Sequence, residues 1–238
     1  MLKESRTHRN NLYGDGIGSV ELVDHMGSDL TIVNSARVSF GVEKKELDEK
    51  DKKLVNYLVK HRHTSTFEHN VVTFRFVVPL FVARQHMRHR TWSYNEISRR
   101  YTDVNLQFYE PKEFRTQHKS NRQASNESDL INPALFSYED GGSLRASSFV
   151  RSHHERSLLL YKNLVESGVC REQARGILPQ NLYTEYYGTC NLSNLLKFIE
   201  LRTHEGAQWE IVQAAEACLE IASELWPVAV KSYRDNRS

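Results

Sequence analysis

The chain has 238 residues, a formal net charge of +2, 39% hydrophobic and 26% charged residues. That length can bury a full core in one large domain, the composition is that of a globular protein, and so small a net charge argues against a polycationic nucleic-acid binder. No apolar run reaches the roughly 20 residues of a membrane span, the polar stretch Met1–Asn11 lacks a signal-peptide core, and Cys170, Cys190 and Cys218 have neither metal nor disulfide spacing; a reducing, cytoplasmic setting is expected.

Taken in order, Val20–Met26 reads as a strand, and Ser28 or Asp29 can cap a helix running to about Val38. Glu46–Arg62 carries Leu47, Leu54, Val55, Leu58 and Val59 on one helical face, and ends in His61-Arg62-His63. Asn70–Val78 is rich in Val and Phe and predicts a strand. Pro79 suits the first turn of a helix expected to run through Arg90, on which Gln85, Arg88 and His89 would share a face. Trp92–Tyr101 is expected as a loop or irregular helix start, and Gln107–Tyr109 as a short strand.

Residues 112–142 form a polar insert that is long for a structureless connection. Helices are expected over Leu144–Ser167 and Arg171–Leu178, the second halted by Pro179. A strand over Leu182–Cys190, a helix capped by Asn191 and running to about His204, and a buried helix over Ala207–Trp226 halted by Pro227 complete the chain. With no internal repeat and no linker, the expectation is a single α/β or α+β domain over 1–238.

The window Arg84–Arg100 holds five arginines, no lysine and one acid, Glu96. A solvated helix end would usually mix both signs and include lysine. Arginine alone suits forked recognition of phosphate or carboxylate, and five neighbouring cations repel one another unless an anion sits among them. On the 191–204 helix, Leu195, Phe198, Ile199 and Arg202 form one stripe, so an arginine closes an apolar face. Either a ligand meets that charge, or a core carboxylate such as Glu210 pairs with it. The eleven histidines include no HExxH pattern and no zinc-finger pairing, so no metal site is predicted. Nor is there a glycine-rich phosphate loop or a Gly-x-Ser-x-Gly elbow.

Arg88-His89-Arg90 followed after seven residues by Ser98 resembles the signature of the flavin-dependent thymidylate synthases. Supporting similarities are Phe81–Gln85, Ser93–Glu96, Ala36–Phe40, Phe67-Glu68-His69, Arg171–Arg175, Leu178-Pro179, Leu201-Arg202 and Ala207-Gln208. The resemblance implies a mixed central β-sheet flanked by helices, and a homotetramer with active sites shared between subunits. It implies conversion of dUMP to dTMP, with methylenetetrahydrofolate as carbon donor, NADPH reducing bound FAD, and no cysteine nucleophile.

Carried over by position, the resemblance assigns the flavin to Ser65, Arg88, His89, Arg90, Glu96, Asn191, Ser193 and Lys197. It assigns dUMP to Gln85, Arg88, Glu96, Ser98, Arg99, Arg100, Arg175 and Arg202, with Arg202 facing the uracil. His63 would lie near folate and flavin, and Arg202 and His63 are the catalytic assignments. The chain departs from the family pattern at Ser65-Thr66, at Lys197 in place of an Asn, and over Thr203–Gly206. The alternative is an RNA-binding module with Trp92, Tyr94 and Tyr101 as stacking platforms.

Overall fold

The computed structural model describes residues 8–136 and 141–237. Met1–Thr7 of the polar N-terminal stretch, Ser137–Asp140 of the insert and Ser238 lie outside the described residues. Strands β1 (His8–Asn10) and β2 (Ser19–Met26) open the fold. Gly27, at φ +86°, turns the chain into helix α1 (Asp29–Arg37). The Ser28 N–H donates to Thr31 Oγ1 at 3.0 Å, fixing the helix start. Helix α2 (Glu49–Lys60) is capped by Asp48, which accepts from the Asp51 N–H at 2.9 Å. The buried Asp51 carboxylate is gripped by Arg37 at 2.6 Å and by Lys44, tying the end of α1 to the start of α2.

Strand β3 (Val71–Pro79) alternates as a half-buried strand should: Val72, Phe74, Phe76 and Val78 are fully buried. Thr73 and Arg75 face the other way, where Arg75 pairs with Glu185 at 2.7 Å and Glu21 at 3.3 Å. Helix α3 (Leu80–His86) and strand β4 (Trp92–Glu96) follow. The insert folds into two hairpins, β5 (Phe114–Gln117) with β6 (Ser125–Ile131), and β7 (Ala134–Phe136) with β8 (Ser143–Arg145). Beyond them come α4 (Ala146–Glu166), α5 (Arg171–Ala174), β9 (Tyr183–Asn191), α6 (Leu192–Arg202), α7 (Trp209–Leu225) and α8 (Pro227–Asp235).

The sheet order is β1-β2-β3-β9-β4 and every neighbouring pair is antiparallel. The expected α/β class holds, but the sheet is not mixed. Strands β3 and β4, joined through α3, run the same way, and β9 lies between them, antiparallel to both, so no parallel pair forms. Gly188 of β9 lies between two rings: a Cβ there would stand 3.1 Å from Phe76 and 3.4 Å from Trp92. Helices α6 and α7 bury Leu195, Phe198, Ile199, Ile211, Ala215 and Cys218 in one core cluster with β3.

Three local expectations change. Helix α3 ends at His86, four residues early, and Thr91 at φ +65° turns the chain into β4. Arg88 and His89 therefore leave the helix, and the shared helical face with Gln85 does not form. The override is tertiary: Trp92 and Tyr94 pack against the core cluster, which only the strand allows. Gln107–Tyr109 contributes a single bridge, Phe108 to Leu182. Pro227 does end α7, but it also opens α8 as its first residue.

Asp29 is 4% exposed, and its carboxylate accepts from the N–H groups of Val228 at 3.0 Å and Ala229 at 2.9 Å, joining α1 to the N-terminus of α8. Asp29→Ala should lower unfolding stability by about 2–4 kcal/mol, because two buried donors lose a charged acceptor. Asp29→Asn should cost less. Urea unfolding of the three proteins checks the order.

Candidate active site

Strand β4 spreads the arginine-rich stretch across the sheet. Trp92 pairs with Cys190 at one end of β9 and Glu96 with Tyr186 further along, while the Ile97 N–H reaches the Glu185 carbonyl. At roughly 3.3 Å per residue, Arg90 and Ser98 stand on the order of 20 Å or more apart along the chain. The cations are thus two groups, Arg88–Arg90 beside the α6 end of the sheet and Arg99–Arg100 beside the Tyr183 end. The side chains of Arg88, Arg90 and Arg175 are exposed and make no hydrogen bond or ion pair with the described residues.

At the first end three assigned residues meet. Arg202, the last residue of α6, donates from Nε to His89 Nε2 at 2.9 Å and from Nη2 to the Gln85 carbonyl at 3.1 Å. No carboxylate among the described residues pairs with it. Glu210, the partner that the sequence offers, is bound instead by Arg115, at 2.7 and 2.9 Å. Burial lowers the Arg202 pKa from its ordinary value, and Nη1 has no acceptor among the described residues. His89 accepts through Nε2, so its proton sits on Nδ1. Burial, and then the charge of Arg202, hold its pKa down to about 4. Behind it, buried His86 is bonded to the Tyr186 hydroxyl at 2.8 Å, and burial lowers its pKa well below the ordinary value.

A second group lines a cavity of about 360 Å³ between α2, α6 and α8. His63, Ser193 and Lys197 lie on its wall with Lys60, Arg62 and Arg237. Ser193 is 5% exposed and its Oγ has no partner, an orphan hydroxyl of the kind that a ligand satisfies. Arg62 takes φ +54°, at the turn that presents the His61-Arg62-His63 segment.

The remaining assignments differ in how free they are. Ser65 is exposed on a 3₁₀ turn. Asn191 uses its Oδ1 to cap α6, accepting from the Asn194 N–H at 2.9 Å, which leaves its amide NH2. Glu96 accepts from Thr184 Oγ1 at 2.6 Å. Arg99 is spent on the carbonyls of Val104, at 2.6 Å, and Tyr183, at 3.2 Å, so it shapes the loop. Arg100 is exposed over its neighbour Tyr101. Ion pairing of Arg171 with Asp103, at 3.5 Å, brings α5, and with it Arg175, to that loop.

A profile of the family described as "Thymidylate synthase complementing protein" matches residues 21–228. A flavin-dependent thymidylate synthase of Thermus thermophilus is 45% identical over 219 residues, covering 92% of this chain and 76% of that protein. The chain belongs to the flavin-dependent thymidylate synthase family. Its relative in Thermotoga neapolitana is 42% identical over 91% of this chain and 90% of its own length. Among solved structures, the UMP/dUMP methylase PolB from Streptomyces cacaoi, bound with 5-Br dUMP, superposes with a TM-score of 0.76 at 36% identity over 92% of this chain and 95% of that one. The RNA-binding alternative finds no support in these similarities. Its stacking platforms are also compromised: Trp92 and Tyr94 stack on each other, at 6.0 Å, against the core, and exposed Tyr101 carries the Arg100 guanidinium over its ring. No helix among the described residues is long and apolar enough to cross a membrane.

Sequence reasoning missed Arg115 altogether, and gave Gln208 and Glu210 no part in the site. Gln208 and Glu210 sit in or beside the Ala207-Gln208 match, but the partner that gives them meaning is 95 positions away from Glu210, in the insert.

His89 and His86 both have folded pKa values below the ordinary 6.5, so the unfolded chain binds more protons between pH 4 and 6.5. Stability should therefore rise with pH across that window and be fully present above it. In urea unfolding at pH 5 and pH 7, His89→Gln should narrow the difference, since Gln still accepts from Arg202 but does not titrate.

Proposed function

We propose that this chain methylates dUMP to dTMP, with methylenetetrahydrofolate as carbon donor and NADPH as reductant of bound FAD. Family membership supports the reaction class, and the 5-Br dUMP and 5-Br UMP bound to PolB support a uridylate ligand. The single observation that carries the chemistry is Arg202, a half-buried guanidinium with unused donors and no carboxylate beside it.

The uracil carbon that receives the one-carbon unit must become nucleophilic. Arg202 does this by drawing negative charge onto the amide edge of the ring, where its unused N–H groups donate. A fixed cation in a partly desolvated site is worth more than the same cation in water. Neutral His89 keeps the fork in place by accepting at Nε, and the Gln85 carbonyl does so at Nη2. No thiolate is at hand. Burial pushes the Cys190 and Cys218 thiols up from their ordinary values, and exposed Cys170 lies at the start of α5, its Sγ 3.8 Å from the Gln173 amide oxygen.

Ser193, Lys197 and the cations of the 360 Å³ cavity fit a dinucleotide cofactor: an orphan hydroxyl for its polar edges and positive charge for its diphosphate. Arg88, Arg90, Ser65, Glu96 and the free amide of Asn191 would extend that contact. Held there, reduced FAD would supply the hydride. His63, exposed on the same wall, would stand beside the folate.

The nucleotide phosphate is assigned to Arg100, Arg175 and Ser98. These lie at the far end of β4 from Arg202, about 15 Å or more along the strand, a separation that favours a site completed by a neighbouring copy in a homotetramer. An oligomer of Arg100→Ala mixed with Arg202→Ala should then regain part of the activity that each variant lacks, because some of its sites hold both intact residues. Verified mixed oligomers as inactive as the parents would place each site within one chain.

The purified protein should be yellow, bind dUMP, and form dTMP only with folate and reductant present. Titration with dUMP and UMP in parallel determines which sugar is accepted. Arg202→Ala should keep flavin and its reduction by NADPH, yet lose about a hundred- to thousandfold in turnover. Arg202→Lys should not restore it, since the fork is lost. Loss of flavin in Arg202→Ala with full rescue by Lys would make the residue a structural cation.

A further inference from the structure

The insert reaches the site through an unbroken run of hydrogen bonds. Glu210, at the start of α7, is 3% exposed. Its carboxylate accepts from Arg115 Nη2 at 2.7 and 2.9 Å, from the Tyr109 hydroxyl at 3.0 Å and from Gln208 Nε2 at 2.9 Å. Gln208 Oε1 in turn accepts from Gln85 Nε2 at 2.6 Å, and the Gln85 carbonyl accepts from Arg202. Arg115 is itself fixed, by Ser125 Oγ at 2.9 Å and by the face of Trp209 at 5.2 Å.

The run has a direction. Both Glu210 oxygens accept from Arg115 Nη2, so the carboxylate meets Gln208 as an acceptor. Gln208 must therefore turn its NH2 to Glu210 and its oxygen to Gln85. Gln85 must then turn its NH2 to Gln208. Of the two orientations open to a glutamine amide, one is selected at each step, and the selection originates in the charge of a single arginine on β5. Without it, the amides of Gln208 and Gln85 lose their common reference, and the flipped arrangement sets carbonyl against carboxylate.

We propose that Arg115 is a positioning residue for the nucleotide site, which through Glu210 and Gln208 fixes the end of the Gln85 amide that meets dUMP. This rests on the reading of Gln85 as a nucleotide contact. Helix α3 holds the backbone of Gln85; the run of hydrogen bonds orients the side chain.

The test uses the full-length, flavin-loaded protein, with dUMP affinity measured by calorimetry beside kcat, KM and flavin content. Gln208→Met leaves the Arg115–Glu210 pair intact and breaks only the connection to Gln85. It should weaken dUMP by about tenfold, the worth of one well-placed hydrogen bond, with flavin content and saturated kcat within about twofold of the parent. In a Gln85→Met background the same change should have no further effect. Arg115→Met should raise the KM for dUMP likewise, and Arg115→Lys, which keeps a cationic donor to the Glu210 carboxylate, should recover most of the loss. Unchanged dUMP affinity in Gln208→Met, full additivity with Gln85→Met, or joint loss of flavin, dUMP and fold would each overturn the proposal. A parent protein that binds no dUMP would instead overturn the reading of the reaction.

Discussion

Strand β9 is hydrogen-bonded along both edges, to β3 over Tyr183–Asn191 and to β4 over Tyr186–Cys190, and the site depends on that double pairing. Its last residue, Asn191, caps α6, so the axis of the helix carrying Arg202 is set by the sheet. Its partner β4 fixes where the chain leaves the turn holding Arg88, His89 and Arg90. Two pieces distant in sequence, the turn after α3 and the end of α6, are thereby brought to bonding distance at Arg202 and His89. Gly188 permits this: any side chain there would press on Phe76 and Trp92, the rings that seat β4 on the core.

The arginines divide by what they touch. Arg37, Arg75 and Arg115 are matched to carboxylates and hold elements together. Arg99 spends its Nη1 and Nη2 groups on backbone carbonyls although it adjoins Arg100 in sequence. Arg88, Arg90 and Arg175 have no partner in the described chain. Exposed cations of this sort contribute little to folding. Their place in the matched motifs and their freedom agree with a role toward an anionic ligand.

Much of the fold is legible in residue patterns because its signals are local. Alternation marks Val71–Pro79, Ser28 marks the start of α1, and Asn191 marks the start of α6, whereas α2 starts at Glu49, three residues later than its apolar face suggests. The errors arise where distant contacts decide. Arg84–Arg90 has helical pattern enough to continue, yet packing of Trp92 and Tyr94 against His86 and Phe198 turns Trp92–Glu96 into a strand. The mixed sheet that the resemblance implies does not form, because β9 lies between β3 and β4 and is antiparallel to both. For the candidate site, residue type and motif point to Arg202, His89 and Gln85, which the fold brings together, but the spacing of charges along the chain misrepresents the arginine window as one cluster.

The fate of Glu210 shows why that last step needs three dimensions. It stands eight positions after Arg202, and a pair between them would match a half-buried cation with a buried carboxylate. Such a pair would also cancel the field that the proposed role of Arg202 needs. The insert prevents it, because Arg115 binds Glu210 in a position that Tyr109 and Gln208 also hold. Arg202 is left with a neutral imidazole and a carbonyl, acceptors that orient a guanidinium without neutralising it. Burial lowers the His89 pKa, and the same arrangement adds to the lowering, since protonation would set two cations in contact. A carboxylate taken up by the insert thus leaves Arg202 an uncompensated cation, which is what its proposed role toward the uracil requires.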